Sequence, residues 1–271
     1  MSNNQKSEGS GLGAFFAATV ILSSIVVCVL VYMFIMGNPN NFEGGDPVLG
    51  HPLPGNTLGI VYKGGFIVPI LMSIVVIIFA FSIERGFTIS KAKGRGGLNV
   101  FVRNLQNMIA NNQIEAAAKE CDKQKGSLAN VMKAGLERYS QLQNDNTMDK
   151  DQKIVAMQKE LEEATSLELP MLSKNLVIIS TCASVSTLVG LIGTVLGMIK
   201  AFSALAQAGA PDAVALANGI SEALINTALG ITGSTVAIIM YNYFTTQIDQ
   251  LTYKIDESGY SLVSTFEAKT K

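Results

Sequence analysis

Ionisable groups are scarce in the apolar parts of this chain, so the few that occur there carry information. Glu222 stands just before the apolar run Ala223 to Phe244 and is the only acid in the membrane zone of the last two predicted helices. Placing an acid at the centre of a membrane costs about 2.5 to 3.5 kcal/mol on translocon scales, so such a group faces a bundle interior or water. If its helix opens at Pro211, which suits a first turn, with Asp212 at the positive end, Glu222 lies about 15 Å along the axis. On the preceding helix Ser180, Ser184, Thr187 and Thr194 recur at helical spacing and share one side. Asn226, Thr227 and Ser234 extend the polar surface along the last helix. An acid with a row of hydroxyls can line a route for protons or hydrated cations. Two blander readings stay open: hydroxyls that bond their own helix or glue helices together, and a Glu222 resting at the outer interface near Lys200. A hairpin turning near Ala208 sets Glu222 opposite Thr194 and favours the pathway.

Gly190, Gly193 and Gly197, with Gly230 and Gly233 on the last helix, have the small-residue spacing that lets helix backbones approach closely. They are read as packing positions, not as a phosphate cradle.

The elements that position these residues follow from hydropathy. The 271 residues are 48% hydrophobic and 15% charged, and a mean hydropathy of +0.34 excludes an ordinary soluble domain. Spanning the hydrocarbon needs about 20 apolar residues. The expected architecture is an all-α, polytopic membrane protein with four transmembrane helices, the last two long and extending into the cytoplasm. Its parts are a tail over 1–13, a first helix over 14–36, an outer loop over 37–58 and a second helix over 59–83. A cytoplasmic helical region follows over 84–170, then a third helix over 171–206, a turn over 207–210, a fourth helix over 211–245 and a C-terminal helix over 246–271. The first apolar run is too long for a signal peptide and is read as a retained span. The loop Gly37 to Thr57 has no Lys or Arg, whereas Arg85, Lys91, Lys93, Arg95 and Arg103 follow the second span; the positive-inside rule puts both termini and the middle region in the cytoplasm. Lys63 and Lys200, near outer ends of spans, can snorkel.

In the middle region Leu98, Val102, Leu105 and Ile109 form one apolar stripe. Val131, Leu136 and Tyr139 form another, with Ser127 as a helix cap. A further helix runs from Lys153 towards the membrane despite Pro170. Ile248, Leu251, Ile255, Leu262 and Phe266 make a heptad-like face that a partner helix or a second copy would bury.

Other chemistry lacks its residues. Cys28, Cys121 and Cys182 lie far apart, and His51 is alone in a Gly/Pro-rich loop, so neither a disulfide framework nor a metal site is indicated. No phosphate loop or zinc helix occurs, no cofactor is called for, and the basic residues are explained by topology before nucleic acid is needed.

The run Gly190-Leu191-Ile192-Gly193-Thr194-Val195-Leu196-Gly197-Met198-Ile199, followed by Ala201-Phe202, resembles the signature of the MotA/TolQ/ExbB proton-channel family. Asn218-Gly219-Ile220-Ser221-Glu222-Ala223-Leu224, Thr227-Ala228-Leu229-Gly230 and Tyr241-Asn242 are similar to the last helix of ExbB and TolQ. Glu84-Arg85 and Cys121 with Gly126-Ser127-Leu128-Ala129 add further matches, and the wording is nearest ExbB. The resemblance implies a bacterial inner-membrane subunit, not an enzyme, assembled as a homopentamer around a dimer of ExbD-like single-span chains. Their intramembrane Asp would be the carboxylate this chain lacks, and proton flow would serve a TonB-like protein in transport across the outer membrane. TolQ-like envelope maintenance and a tetraspan adaptor without ion flow are the alternatives. Two departures stand out: the extra helix Ala14 to Met36, expected to be peripheral, and Val185-Ser186-Thr187-Leu188 where an Ala-Pro is usual. A single copy is expected to leave Glu222 without a partner, so several copies are expected to form a ring.

Overall fold

The computed structural model describes residues 5–48, 50–145, 147–206 and 212–270, and all the described elements are helical. They are α1 Gln5–Leu30, continued by a π-helical turn Val31–Met36, then the short 3₁₀ turns Pro39–Asn41 and Glu43–Gly45, α2 Thr57–Tyr62, α3 Ile67–Ala92, α4 Leu98–Ala110, α5 Ile114–Gln124, α6 Ser127–Gln143, α7 Lys150–Ser173, α8 Leu176–Leu205 and α9 Ala213–Lys269. Four stretches are long and apolar enough to cross a membrane: Ala17–Met36, α3, the α7 to α8 stretch Lys150–Leu205, and α9. At 57 residues, α9 would extend about 85 Å at 1.5 Å per residue, far more than the hydrocarbon needs. The chain is thus an all-α, multi-pass membrane protein with long last helices. The expected turn at 207–210 and Pro211 lie outside the described residues.

The chain divides into two compact units. The first holds residues 1–82 and 178–241. In it α1 begins at Gln5, ahead of the apolar run, because hydropathy marks the membrane part of a helix and not its end. The second apolar stretch is broken: α2 stops at Tyr62 and α3 starts at Ile67. Gly65 adopts φ +78°, a left-handed conformation that ends a helix at little cost only for glycine. The loop between α1 and α2 is tied down. Asn41 Nδ2 donates to Ile35 O and Met36 O, both at 2.9 Å, and Asn56 Nδ2 donates to Asn41 Oδ1 at 2.9 Å. Asn56 Oδ1 in turn caps α2 by accepting from Gly59 N at 3.1 Å. Lys63 Nζ donates to Pro47 O and Val48 O at 3.2 and 2.9 Å.

The second unit holds residues 83–177 and 242–271. Val102, Leu105, Ile109, Val131, Leu136 and Tyr139 are buried as the stripes predict, while Leu98 is only half-buried. Ile248, Leu251, Ile255, Leu262 and Phe266 are also buried within the chain. Tyr139 meets Phe266 edge to face at 4.9 Å between centroids, and a Cβ on Gly135 would lie 2.6 Å from Leu161 and 2.9 Å from Leu262. The heptad-like face therefore finds its cover in α6 and α7 and needs no second copy. Ser127 is the first residue of α6, not its cap; Gly126, at φ +88°, holds that place. α7 opens at Lys150 with a capping box between Asp149 and Gln152. It ends at Ser173 without running into α8, since Asn175 takes φ +64°. Arg85, 2% exposed, is a clamp at that break: its Nη1 donates to Met171 O and Leu172 O at 3.3 and 3.2 Å, and its Nε to Glu84 Oε2 at 2.7 Å. Glu84 Oε2 also accepts from Asn175 Nδ2 at 3.3 Å. Arg85, held by Glu84, thus satisfies open carbonyls of a helix end.

Candidate functional site

The signature segments form the interface between α8 and α9. A Cβ on Gly190 would stand 3.0 Å from Gly230 Cα, one on Gly193 2.5 Å from Asn226 Cβ, and one on Gly197 2.7 Å from Ala223 N. Gly230 faces Ser186 O at 2.8 Å and Gly233 faces Ser186 Oγ at 2.5 Å by the same construction. A side chain at Gly190, Gly197 or Gly230 would meet backbone and drive the helices apart, and one at Gly193 or Gly233 would strike the side chain of Asn226 or Ser186. Two further contributors escaped the sequence reading. A Cβ on Gly219 would lie 2.7 Å from Ala201 N, and Ser186, fully buried, donates its hydroxyl to Gly230 O at 2.9 Å. That bond ties α8 to α9 directly.

This register carries Glu222 past Thr194 to Lys200. Lys200 Nζ donates to Glu222 Oε1 at 2.7 Å and Oε2 at 2.8 Å. The Glu222 side chain is 9% exposed and that of Lys200 54%. The expectation of an unpartnered acid in a single copy is therefore corrected: the chain supplies its own counter-charge, and an acid held this way is less costly to bury than a lone one. The pairing with Lys200 is the placement that the blander reading of Glu222 anticipated, and the hairpin register that set the acid opposite Thr194 is corrected with it.

The other wall of the Glu222 site is the break between α2 and α3. Asn226, fully buried one turn beyond Glu222, donates Nδ2 to Gly64 O at 2.8 Å. A Cβ on Gly65 would lie 2.5 Å from Glu222 Oε1. The acid is thus seated against bare backbone, and glycine is required there both by its φ and by this approach. Asn226 Oδ1 is a buried acceptor with no partner among the described residues.

The hydroxyls do not converge on this point. Thr194 Oγ1 donates to Leu191 O at 2.6 Å and Thr227 Oγ1 to Ala223 O at 3.2 Å, each within its own helix. Both are half-buried, as are Ser180 and Ser234, while Ser184 and Thr187 are exposed. Glu222 and Asn226 therefore belong to the inter-helix seat, and Ser184 and Thr187 to an outward face. Among the described residues no group of His, Cys, Asp or Glu is placed to hold a metal ion.

Comparison with known proteins fits this hairpin. The MotA/TolQ/ExbB proton channel family profile matches residues 123–257. The Tol-Pal system protein TolQ of Pseudomonas aeruginosa is 33% identical over 121 residues, 45% of this chain and 52% of that protein. The biopolymer transport protein ExbB of Salmonella typhimurium is 39% identical over 70 residues, 26% of this chain and 29% of that protein. ExbB of Pseudomonas putida is 29% identical over 169 residues, 61% of this chain and 48% of that protein. The chain thus spans about half the length, or less, of these curated relatives. With the signature segments seated together around a buried acid, the chain belongs to the MotA/TolQ/ExbB proton channel family.

Proposed function

We propose that this protein is a bacterial inner-membrane subunit of a proton-driven motor. Five copies form a ring around a dimer of single-span, ExbD-like chains, and the ring passes the energy of the proton gradient to a TonB-like protein for transport across the outer membrane. Both termini and the region over 84–170 lie in the cytoplasm, which is the orientation that basic residues after the second span favour. The observation that carries the reading is the buried Glu222, held by Lys200 and set against the Gly64–Gly65 backbone inside the family's own signature hairpin. A membrane protein that only needed a scaffold would gain nothing from a buried acid and a buried amide with an open acceptor. In the ring, α8 and α9 face the lumen. Ser184, Thr187, Thr194 and Thr227 offer oxygens along the route, Glu222 and Asn226 set its charge and polarity, and the partner's intramembrane Asp carries the proton past them.

A TolQ-like role in envelope maintenance is favoured by the 33% identity with the Tol-Pal system protein TolQ over 121 residues. Co-purification from native membranes separates the readings. A small single-span protein with one intramembrane Asp supports the motor, and whether a TonB-like or a Tol-Pal protein accompanies it decides between the duties. Absence of any such partner, together with wild-type performance of Glu222→Gln, would leave a tetraspan adaptor.

A further inference from the structure

We propose that the added first helix is a working part of the Glu222 site, with Tyr32 as a positioning residue for it. The proposal rests on the motor reading for its importance, but its geometry stands independently. Among its described side chains, α1 and its π-helical turn bury one narrow line of residues. Ser24, Cys28 and Met36 are buried and Tyr32 is half-buried, at spacings of four, while neighbours such as Val26, Met33 and Phe34 are exposed. At the end of that line the helix widens into the π-helical turn Val31–Met36, closed by Gly37 N donating to Tyr32 O at 2.9 Å. Such a turn is uncommon, and it re-aims side chains, which is why it recurs at functional sites.

What it aims here is Tyr32. The ring stacks on Tyr62 at 4.6 Å between centroids, and its hydroxyl donates to Tyr62 O at 3.1 Å. The same carbonyl accepts from Gly65 N at 3.1 Å, so Tyr32 bonds to the oxygen that closes the turn between α2 and α3. Gly65 of that turn touches Glu222, and Gly64 of that turn accepts from Asn226. A continuous run of contacts therefore leads from α1 through the Tyr62 carbonyl and the glycine pair to the acid. Gly37 makes room for it: a Cβ there would lie 2.7 Å from the Tyr62 ring. The two-asparagine clasp of Asn41 and Asn56 locks the α1 end to the start of α2. Without Tyr32 the turn keeps its Gly65 bond but loses its outer brace, and the wall against which Glu222 rests can yield.

The test uses the full-length protein in its complex, purified from native membranes, with a hydrophobic carbodiimide that modifies carboxyl groups as the probe. Labelling of Glu222 is followed by peptide mass spectrometry across pH, and oligomeric state by native mass spectrometry. Tyr32→Phe keeps the ring stack and removes only the hydroxyl. It should label Glu222 about fivefold faster than wild type, the change in exposed population expected from losing one ordinary hydrogen bond. Tyr32→Ala should exceed it. Phe34→Ala, on the exposed face, should match wild type, and thiol labelling of Cys182 should not change in any variant. If Tyr32→Ala fails to assemble, Tyr32→Phe decides the matter. Wild-type labelling of Glu222 in assembled Tyr32→Phe overturns the proposal, as does an equal rise at Cys182, which would mean general loosening. Labelling needs no ion flow, so failure of the motor reading, seen as full activity of Glu222→Gln, is a separate outcome.

Discussion

Glu222 and Lys200 must be considered as a pair, because each is the other's partner inside the chain. Glu222→Gln keeps shape and hydrogen bonding but leaves Lys200 without its counter-charge; it is expected to assemble and to lose most proton-coupled work, measured as partner-dependent transport. The hydroxyls divide by placement. Thr194→Val and Thr227→Val remove oxygens close to the α8 and α9 seam, and each is expected to impair function more than Ser184→Ala on the exposed face; equal tolerance of all three would reduce the hydroxyls to helix glue. Away from the membrane, Cys121 is buried on α5. Burial, helped by the neighbouring Asp122, pushes its thiol from an ordinary value near 9 up to about 12. Its folded state therefore holds the proton more tightly than the unfolded chain. Stability owed to this group is intact below pH 9 and is lost as pH rises from 9 towards 12. Iodoacetamide at pH 9 should leave Cys121 unmodified in the folded protein and alkylate it after denaturation, as read by peptide mass spectrometry.

At the scale of elements, the sequence was most legible where one face is apolar and the other polar. The stripes of α4 and α6 and the heptad-like line at the end of α9 are all buried or nearly so, because burial of such a face is dictated by composition alone. What covers them was not legible, since pairing between distant segments leaves no periodic trace; hence the line on α9 looked available to a second copy although α6 and α7 cover it. The glycines of α8 and α9 were legible as packing positions, but the register between them was not, and a shift of less than two turns moved Glu222 from Thr194 to Lys200. Breaks at Gly65 and Asn175 were missed because a single left-handed residue does not change hydropathy. The glycine seam can be tested within one helix. Gly230→Val must displace the α8 backbone and is expected to cost about 1–3 kcal/mol, read as a lower unfolding midpoint in detergent. Gly259→Ala, further along α9, meets nothing closer than Leu161 at 3.6 Å and should be neutral or stabilising by up to about 1 kcal/mol through helix propensity.

At the scale of the whole molecule, Lys200 accommodates Glu222 within one chain, so a ring is not needed to house the acid. A ring is favoured instead by Ser184 and Thr187, hydroxyls exposed on a helix whose neighbouring exposed side chains, Leu188, Leu191 and Val195, are apolar. A lumen lined by several copies gives those hydroxyls a polar setting that lipid does not. The glycine seam and the Lys200–Glu222 pair involve no residue before Met36, so the ring should not depend on α1. The α2 to α3 turn does depend on it, through Tyr32. Removing Met1 to Met36 is therefore expected to separate the two properties: native mass spectrometry should find the same copy number as in the full chain, while carbodiimide labelling of Glu222 rises as it does in Tyr32→Ala. A full-length protein that runs as a monomer, or a ring that disappears only when α1 is removed, would overturn this arrangement, because in either case α8 and α9 could not be what holds the copies together.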